Sequence, residues 1–237
     1  MTGTASLSGY QQRRGEIETY FDRTAADAWA KLTSDAPVSG IRATVRAGRD
    51  EMRKTLLWWM PADLSGARIL DAGCGAGQLS IEAARRGADV VAVDVAGTLV
   101  NLARERAAGE TLAGSIDFRT GDMFDEGLGH FDYVVAMDSL IHYDAADIVR
   151  VLGGFAPRTR SAVLFTFAPK TAALTAMHAV GRLFPKGDRA PQIRPAAEEA
   201  LRDRIAADGA LKTWTPARTR KVTSGFYTSQ AMELKPA

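Results

Sequence analysis

A glycine-rich turn that directly follows a short apolar run is the feature that most constrains the fold. The apolar run at residues 68–70 predicts the start of a buried strand, and residues 79–86 are typical of a helix. Between them Gly73, Gly75 and Gly77 stand at alternate positions. Glycine lacks a Cβ atom, so the backbone can bend sharply there and approach a ligand closely. We expect the turn to present its backbone N–H groups and a helix N-terminus to a ligand.

Asp71 stands at the end of the predicted strand, just before the glycines. A carboxylate at this point would repel a pyrophosphate but suits a cation, such as the α-ammonium group of an amino-acid moiety. The dinucleotide fingerprint also requires G-x-G-x-x-G, whereas this chain has G-x-G-x-G. A dehydrogenase is therefore disfavoured. The alternative is a tight strand–helix turn that binds no ligand.

The D-x-G-x-G-x-G pattern resembles the first motif of class I methyltransferases, which use S-adenosyl-L-methionine and release S-adenosyl-L-homocysteine. Asp94 ends the second predicted strand, 17 residues after Gly77, where a carboxylate can accept both ribose hydroxyls. By the same resemblance, Asp122 after the third strand would bind the adenine amino group and Met123 would cover the ring. The alternatives are a surface acid for Asp94 and ordinary core packing for Met123.

The chain from residue 61 onwards alternates between strand and helix patterns. A helix at 196–208 precedes a final antiparallel pair at 211–222 and 225–233. Such alternation predicts an α/β, Rossmann-like fold of the class I methyltransferase type, with a mostly parallel seven-stranded sheet and helices on both faces. Binding is expected at the carboxyl ends of the strands. The other predicted strands are 67–72, 89–94, 116–120, 131–137 and 160–167, and the other predicted helices are 77–87, 97–108 and 144–155.

Two helical segments, residues 10–32 and 39–60, precede this core, and residues 1–9 are expected to be disordered. We interpret residues 1–60 as a helical cover and 61–237 as the methyltransferase core. The second helix carries four arginines on one face because their spacing is 4-3-4. That face is either solvated or directed towards an anion or a membrane. The arginines are Arg42, Arg46, Arg49 and Arg53.

A lid insertion is predicted after the fifth strand, at about residues 170–195. Residues 171–184 have a helical pattern, and residues 185–195 form a basic, proline-containing loop. The lid belongs to a basic third of the chain. Residues 157–237 hold 14 Lys and Arg against 6 Asp and Glu, a net charge of +8, whereas residues 1–156 hold 16 against 22, a net charge of −6. This asymmetry indicates an anionic partner or, as the simpler alternative, a solvated basic face.

Cys74 is the single cysteine, so disulfides cannot stabilise the fold and a reducing cytoplasm fits. A catalytic thiol is disfavoured because no histidine lies nearby in sequence. The chain has no apolar run long enough to span a membrane and no signal-peptide pattern. No nucleic-acid-binding signature is present, and no cluster of metal ligands is visible.

The loop after the fourth strand carries the remaining chemistry. Asp138 and His142 follow this strand and are expected over the sulfonium end of the cofactor. His142 is a candidate base or hydrogen-bond donor to the substrate, the alternative being a structural histidine. His130 and His178 lie in a loop and in the predicted lid, and neither is favoured.

Beyond the cofactor motifs, nearly the whole chain after residue 10 is similar to magnesium-protoporphyrin IX O-methyltransferases, in the bacteriochlorophyll branch of that family. Tyr20-Phe21 with Trp29 resembles the entry helices. Further similar stretches are residues 35–42 and 48–53, the lid stretch 181–185 with Asp188-Arg189, and Gly225-Phe226-Tyr227.

The resemblance implies methylation of one propionate of magnesium-protoporphyrin IX to the monomethyl ester. It implies that Tyr20 and His142 orient the carboxylate, and that a basic lid holds the second propionate through Arg182, Lys186, Arg189 or Arg194. It also implies contact with the porphyrin-carrying subunit of magnesium chelatase, and peripheral contact with the photosynthetic membrane stays an alternative. The rival functions are a methyltransferase of a quinone precursor or another phenol, and a cofactor-binding protein without catalysis.

Overall fold

The computed structural model describes residues 3–24, 26–34, 37–38, 40–170 and 191–237. These residues form one sheet of seven strands in the order β3-β2-β1-β4-β5-β7-β6, and only β7 runs antiparallel to its neighbours. The predicted mostly parallel sheet is therefore confirmed. The strands are β1 (Arg68–Ala72), β2 (Asp89–Asp94), β3 (Ser115–Thr120), β4 (Phe131–Ala136), β5 (Thr159–Phe167), β6 (Trp214–Ser224) and β7 (Tyr227–Pro236).

Helices connect the parallel strands as the sequence predicts, with ends that differ by at most two residues. Asp144 shows why α6 begins where it does, since its carboxylate accepts hydrogen bonds from the N–H groups of Ala146 and Asp147. The helices of the core are α4 (Gln78–Arg85), α5 (Gly97–Ala108), α6 (Ala145–Phe155) and α7 (Glu198–Ala207).

The N-terminal segment differs from the prediction in two respects. Its first helix, α1 (Gly3–Thr19), already includes residues 3–9, so the expected disorder is wrong for them. The expected continuous helix is also interrupted, because a π-helical turn (Tyr20–Thr24) separates α1 from α2 (Ala26–Leu32). Asp22 in this turn accepts a hydrogen bond from the Thr98 N–H group at 2.9 Å. The turn is thus attached to the start of α5, a tertiary contact that helical periodicity does not reveal.

The third helix, α3 (Gly40–Trp58), agrees closely with the prediction and packs on one face of the sheet. Successive residues of β5 point to opposite faces. Leu164 therefore belongs to the same core cluster as Leu56 of α3, while Phe165 belongs to the cluster that includes Phe155 of α6 on the other side. Both faces of the sheet are covered, as a parallel sheet requires.

The two ends of the predicted lid insertion meet beside the sheet. Ala196 pairs with Pro169, and its N–H group donates to the Ala168 carbonyl at 2.9 Å. The predicted helix at 171–184 and most of the basic loop lie outside the described residues, so the lid stays a prediction. The arrangement of β1 between β2 and β4 creates the topological switch point at which ligands bind in open α/β sheets.

Candidate active site

The glycine-rich turn after β1 forms the base of a cleft at this switch point. Gly73 adopts a left-handed φ of 87°, and a Cβ atom there would collide with the Cβ atom of Ser139. Gly75, with a φ of 52°, has a different reason to be glycine: a Cβ atom there would meet only Trp29 Nε1, at 3.6 Å, so this residue faces the open cleft. Close packing and close approach of a ligand thus both demand glycine here.

The backbone N–H groups of this turn are not presented to a ligand as expected. Those of Gly73 and Cys74 both donate to the Val93 carbonyl, at 2.8 and 3.0 Å. The Gly75 N–H donates to Asp94 Oδ2 at 2.8 Å, and the Gly77 N–H donates to the Cys74 carbonyl at 3.0 Å. The prediction is wrong for these four groups, because three of them attach the turn to the end of β2 and the fourth closes a hydrogen bond within the turn.

Two carboxyl groups beside the turn line the cleft, as predicted. Asp71 is fully buried and accepts a hydrogen bond from Ser80 Oγ at 2.6 Å, and burial raises its pKa to about 7. Asp94 accepts hydrogen bonds from the N–H groups of Gly75 and Ala96. Burial also raises the pKa of Asp94, although these backbone bonds oppose the shift.

Helix α1 reaches the predicted adenine end of the cleft. Asp122 Oδ1 accepts hydrogen bonds from Tyr10 Oη and from the Phe124 N–H group, both at 2.9 Å, and Arg14 Nη1 lies 3.5 Å from its other oxygen. Met123 lines the cleft and is 8% exposed. No pattern in the sequence indicates the contact between Tyr10 and Asp122, which are 112 residues apart.

Asp138 is the centre of a buried polar network after β4. It is the one non-glycine residue with a left-handed φ, 54°, among the described residues. Its carboxylate accepts hydrogen bonds from Arg49 Nη1 at 2.6 Å, from Tyr227 Oη at 3.1 Å and from Ser229 Oγ at 3.1 Å. Asp138 therefore links β4, α3 and β7, in addition to lining the cleft.

The arginine face of α3 turns inwards in part, which contradicts its interpretation as a wholly solvated face. Arg49 and Arg53 line the cleft, with 16% and 19% of their side chains exposed. Arg46 donates to the carbonyl groups of Leu32 and Lys31 and so connects α3 to α2. Of the four arginines only Arg42 is exposed, as a solvated face requires. The sequence missed Arg49 and Arg53 as site residues although their spacing had placed them together.

His142 ends a 3₁₀ turn (Leu140–His142) and lines the cleft, with 7% of its surface exposed. Its Nδ1 atom is buried and has no hydrogen-bond partner within the described ranges. Burial lowers the pKa of His142, while the nearby carbonyl groups of Gln192 and Pro191 oppose the shift. The imidazole is therefore neutral at pH 7.

The remaining predicted substrate-binding residues are Tyr20 and the basic residues of the lid, and the structure describes only Tyr20 and Arg194. Tyr20 is half-buried and packs against Phe21, with 5.1 Å between the ring centroids, and it is Phe21 that lines the cleft. The Arg194 N–H group donates to the Ile141 carbonyl at 2.8 Å, and its guanidinium lies 3.7 Å from the Asp144 carboxylate. The basic end of the lid insertion thus lies beside the turn that carries His142. Arg182, Lys186 and Arg189 lie outside the described residues.

Two further features bear on the chemistry of the cleft. Cys74 is buried and its burial raises the pKa of the thiol, which agrees with the expectation that it is not a catalytic nucleophile. No group of three or more side chains suited to a metal ion occurs in the part of the chain that the structure describes. Within the same ranges, no helix has the length and apolar character needed to cross a bilayer.

Comparisons with known proteins agree with this site. Residues 136–236 match the family model for the C-terminus of magnesium-protoporphyrin IX methyltransferases, and residues 69–161 match a general methyltransferase domain. The chain is 50% identical over 230 residues to the magnesium-protoporphyrin O-methyltransferase of Rhodobacter capsulatus, covering 97% of this chain and 99% of that protein. By contrast, a ubiquinone biosynthesis O-methyltransferase of Xanthomonas oryzae is 37% identical over 133 residues, or 53% of this chain.

A solved structure extends the similarity to three dimensions. It is the magnesium protoporphyrin IX methyltransferase of Synechocystis with bound S-adenosylhomocysteine, which aligns with a TM-score of 0.81 and 28% identity over 93% of this chain and 98% of that one. The class I methyltransferase fold is therefore confirmed. From the relative that matches over nearly its whole length, we conclude that this chain belongs to the magnesium-protoporphyrin O-methyltransferase family.

Proposed function

We propose that this chain transfers the methyl group of S-adenosylmethionine to one propionate carboxylate of magnesium-protoporphyrin IX, giving the monomethyl ester. The observation that carries the proposal is the 50% identity over almost the full length of both proteins. The cleft supports it, because its lining combines acids, arginines and aromatic side chains around a glycine-rich turn.

The residues of the cleft suit the cofactor. The open space above Gly75 admits close contact, and the buried Nδ1 atom of His142 lacks a partner among the described residues, as expected of a wall that faces a polar ligand. Asp71 and the glycines would hold the amino-acid end. The oxygens of Asp94 and Asp122 already accept protein hydrogen bonds, but a carboxylate has about four acceptor sites, which leaves capacity for ribose hydroxyls and an adenine amino group.

When bound, S-adenosylmethionine supplies an electrophilic methyl group on a sulfonium centre. The tasks left to the chain are orientation and the exclusion of water. A propionic acid with a pKa of about 4.3 is already ionised at neutral pH, so no strong base is required. His142, being neutral and in the cleft wall, is proposed to orient the carboxylate through a hydrogen bond. Tyr20 is proposed to act together with His142 from the π-helical turn of the helical cover, where the Tyr20 ring packs on Phe21.

The lid arginines are proposed to hold the propionate that is not methylated. Arg194 lies beside the turn of His142, which supports this role, and Arg182, Lys186 and Arg189 are proposed to act with it. The proposal includes delivery of the substrate by the porphyrin-carrying subunit of magnesium chelatase, and peripheral contact of this cytoplasmic enzyme with the photosynthetic membrane. The net charge of +8 over residues 157–237 supports an anionic partner surface.

The test is an assay of the whole chain with methyl-labelled S-adenosylmethionine and a panel of acceptors. We expect label transfer to magnesium-protoporphyrin IX and none to its dimethyl ester, which lacks a free carboxylate. Alkaline hydrolysis should release the label, because an ester is cleaved by base whereas an aryl ether is not. Transfer to phenols alone, with a base-stable label, would support the quinone-precursor alternative. Binding of the cofactor without transfer to any acceptor would support the non-catalytic alternative.

A further inference from the structure

The amino-acid end of the cofactor carries an α-carboxylate as well as an α-ammonium group, and the glycine-rich turn has little to offer the carboxylate. The N–H groups of Gly73, Cys74 and Gly75 donate to protein acceptors. The neighbouring acids, Asp71 and Asp138, would repel a carboxylate. Recognition of this anion therefore requires a cation from another element of the fold.

Arg49 of α3 is the cation in the right place. Its guanidinium carbon lies 4.7 Å from the centroid of the Trp29 ring, and Trp29 Nε1 lies 3.6 Å from the position of a Cβ atom on Gly75. On its other side Arg49 bonds Asp138, whose neighbour Ser139 donates to the Ala72 carbonyl at 2.8 Å and packs on Gly73. Both partners of Arg49 thus lie beside the glycine-rich turn, Trp29 next to Gly75 and Asp138 next to the residue that packs on Gly73.

The guanidinium group of Arg49 is held in place by Asp138, but it still has a hydrogen-bond donor without an acceptor among the described residues. Asp138 bonds only Nη1, and Arg49 Nε is buried without a partner among the described residues. Buried donors in native proteins are normally paired, so an additional acceptor is expected here. Arg53, one helical turn further along and also in the cleft wall, is in a different situation, since its Nη1 bonds Asp50 of its own helix at 2.9 Å.

We propose that Arg49 binds the α-carboxylate of S-adenosylmethionine, positioned by the Asp138 carboxylate on one side and the Trp29 ring on the other. The inference rests on the proposed function and deepens it by assigning the carboxylate subsite. Asp138 then acts as a positioning residue, and its left-handed backbone is part of the geometry that brings its carboxylate under α3. A charged hydrogen bond of this kind is individually strong because both partners are ionised.

The test compares two ligands that differ only in this carboxylate: S-adenosylmethionine and its decarboxylated form. Calorimetry gives the ratio of their affinities for the wild-type chain, for Arg49→Met and for Arg53→Met. We expect Arg49→Met to weaken S-adenosylmethionine binding by about 10- to 100-fold, the scale of a charged hydrogen bond, while the decarboxylated ligand binds about as well as before. Arg53→Met removes the same charge from the same helix and should leave the ratio unchanged.

An equal effect of Arg49→Met on both ligands would overturn the proposal, as would an equal change of the ratio in Arg53→Met. If Arg49→Met binds neither ligand because Asp138 has lost its partner, Arg49→Lys decides. Lysine keeps the charge but not the planar fork, so Arg49→Lys should weaken the binding of S-adenosylmethionine more than that of the decarboxylated ligand, and an equal loss for both ligands would overturn the proposal. Failure of the wild-type chain to bind S-adenosylmethionine would instead contradict the proposed function.

Discussion

At the scale of single residues, His142 shows how the fold converts a titratable side chain into a neutral one. Free histidine has a pKa near 6.5, and a solvated His142 would be partly charged at neutral pH. Burial in the cleft wall lowers its pKa and favours the uncharged imidazole. This suits a reaction whose nucleophile is already an anion and needs orientation rather than deprotonation.

The corresponding prediction concerns His142→Ala. We expect kcat to fall by about 10- to 1000-fold, the scale of one well-placed hydrogen-bonding group, while the affinity for the cofactor changes little. The pH profile of kcat should be flat above neutral pH in both proteins, because the propionate nucleophile is already ionised there. Rates measured between about pH 5 and 9 provide the check. Because burial lowers the pKa of His142, a limb below about pH 6.5 that is present in the wild type and absent from His142→Ala would make His142 a true base.

At the scale of elements, the turn between β1 and α4 depends on the end of β2 more than its own sequence indicates. Asp94 joins the turn to β2, since its carboxylate accepts hydrogen bonds from the N–H groups of Gly75 and of Ala96, which precedes α5. A residue expected to bind only ribose is thus also part of the scaffold. Its replacement must affect the fold as well as the ligand.

Asp94→Ala tests this double role. We expect the free energy of unfolding to fall by about 1–3 kcal/mol, because two backbone donors lose their acceptor, and cofactor binding to weaken by about 2–4 kcal/mol. Asp89→Ala is the matched control, as Asp89 begins the same strand and its exposed carboxylate accepts a hydrogen bond from the Ser115 hydroxyl. Urea unfolding and calorimetry measure the two effects. Loss of cofactor affinity at unchanged stability would contradict the scaffold role.

At the scale of the whole molecule, the buried Asp71 makes the free energy of unfolding depend on pH. Its pKa is about 7 in the folded chain and close to 3.9 in an unfolded one. Below about pH 4 both states are protonated, and above about pH 7 both are ionised. Between these limits the unfolded state loses its proton first, so the stability contributed by protonated Asp71 is lost as the pH rises.

The Asp71→Asn variant should not lose this stability as the pH rises, because asparagine does not ionise. Without cofactor, we expect the wild-type chain to lose up to about 4 kcal/mol of unfolding free energy relative to Asp71→Asn between pH 4 and 7.5. Asp117→Asn serves as the control, because the Asp117 side chain is 55% exposed and should leave the wild-type pH dependence unchanged. Urea unfolding at several pH values gives the comparison. Parallel curves for the wild type and Asp71→Asn would show that Asp71 is ionised when buried.

The sequence by itself determined the architecture and the position of the site. Apolar runs, helical periods and the glycine-rich turn are local patterns, and they fixed the strands, most helices and the switch point to within a few residues. The acids at the strand ends followed from the same reasoning, since parallel strands bring their carboxyl ends to one edge. Asp71, Asp94, Met123, Asp138 and His142 all line the one cleft.

Only the tertiary structure decided how the helical cover completes that cleft. The bond between Tyr10 and Asp122 joins residues 112 apart, and that between Arg49 and Asp138 joins residues 89 apart. Such contacts depend on how α1 and α3 dock on the sheet, and a periodic pattern gives the faces of a helix but not what each face meets. For the same reason the sequence left open whether the arginine face of α3 is solvated or directed towards an anion or a membrane, whereas packing turns Arg49 into the cleft.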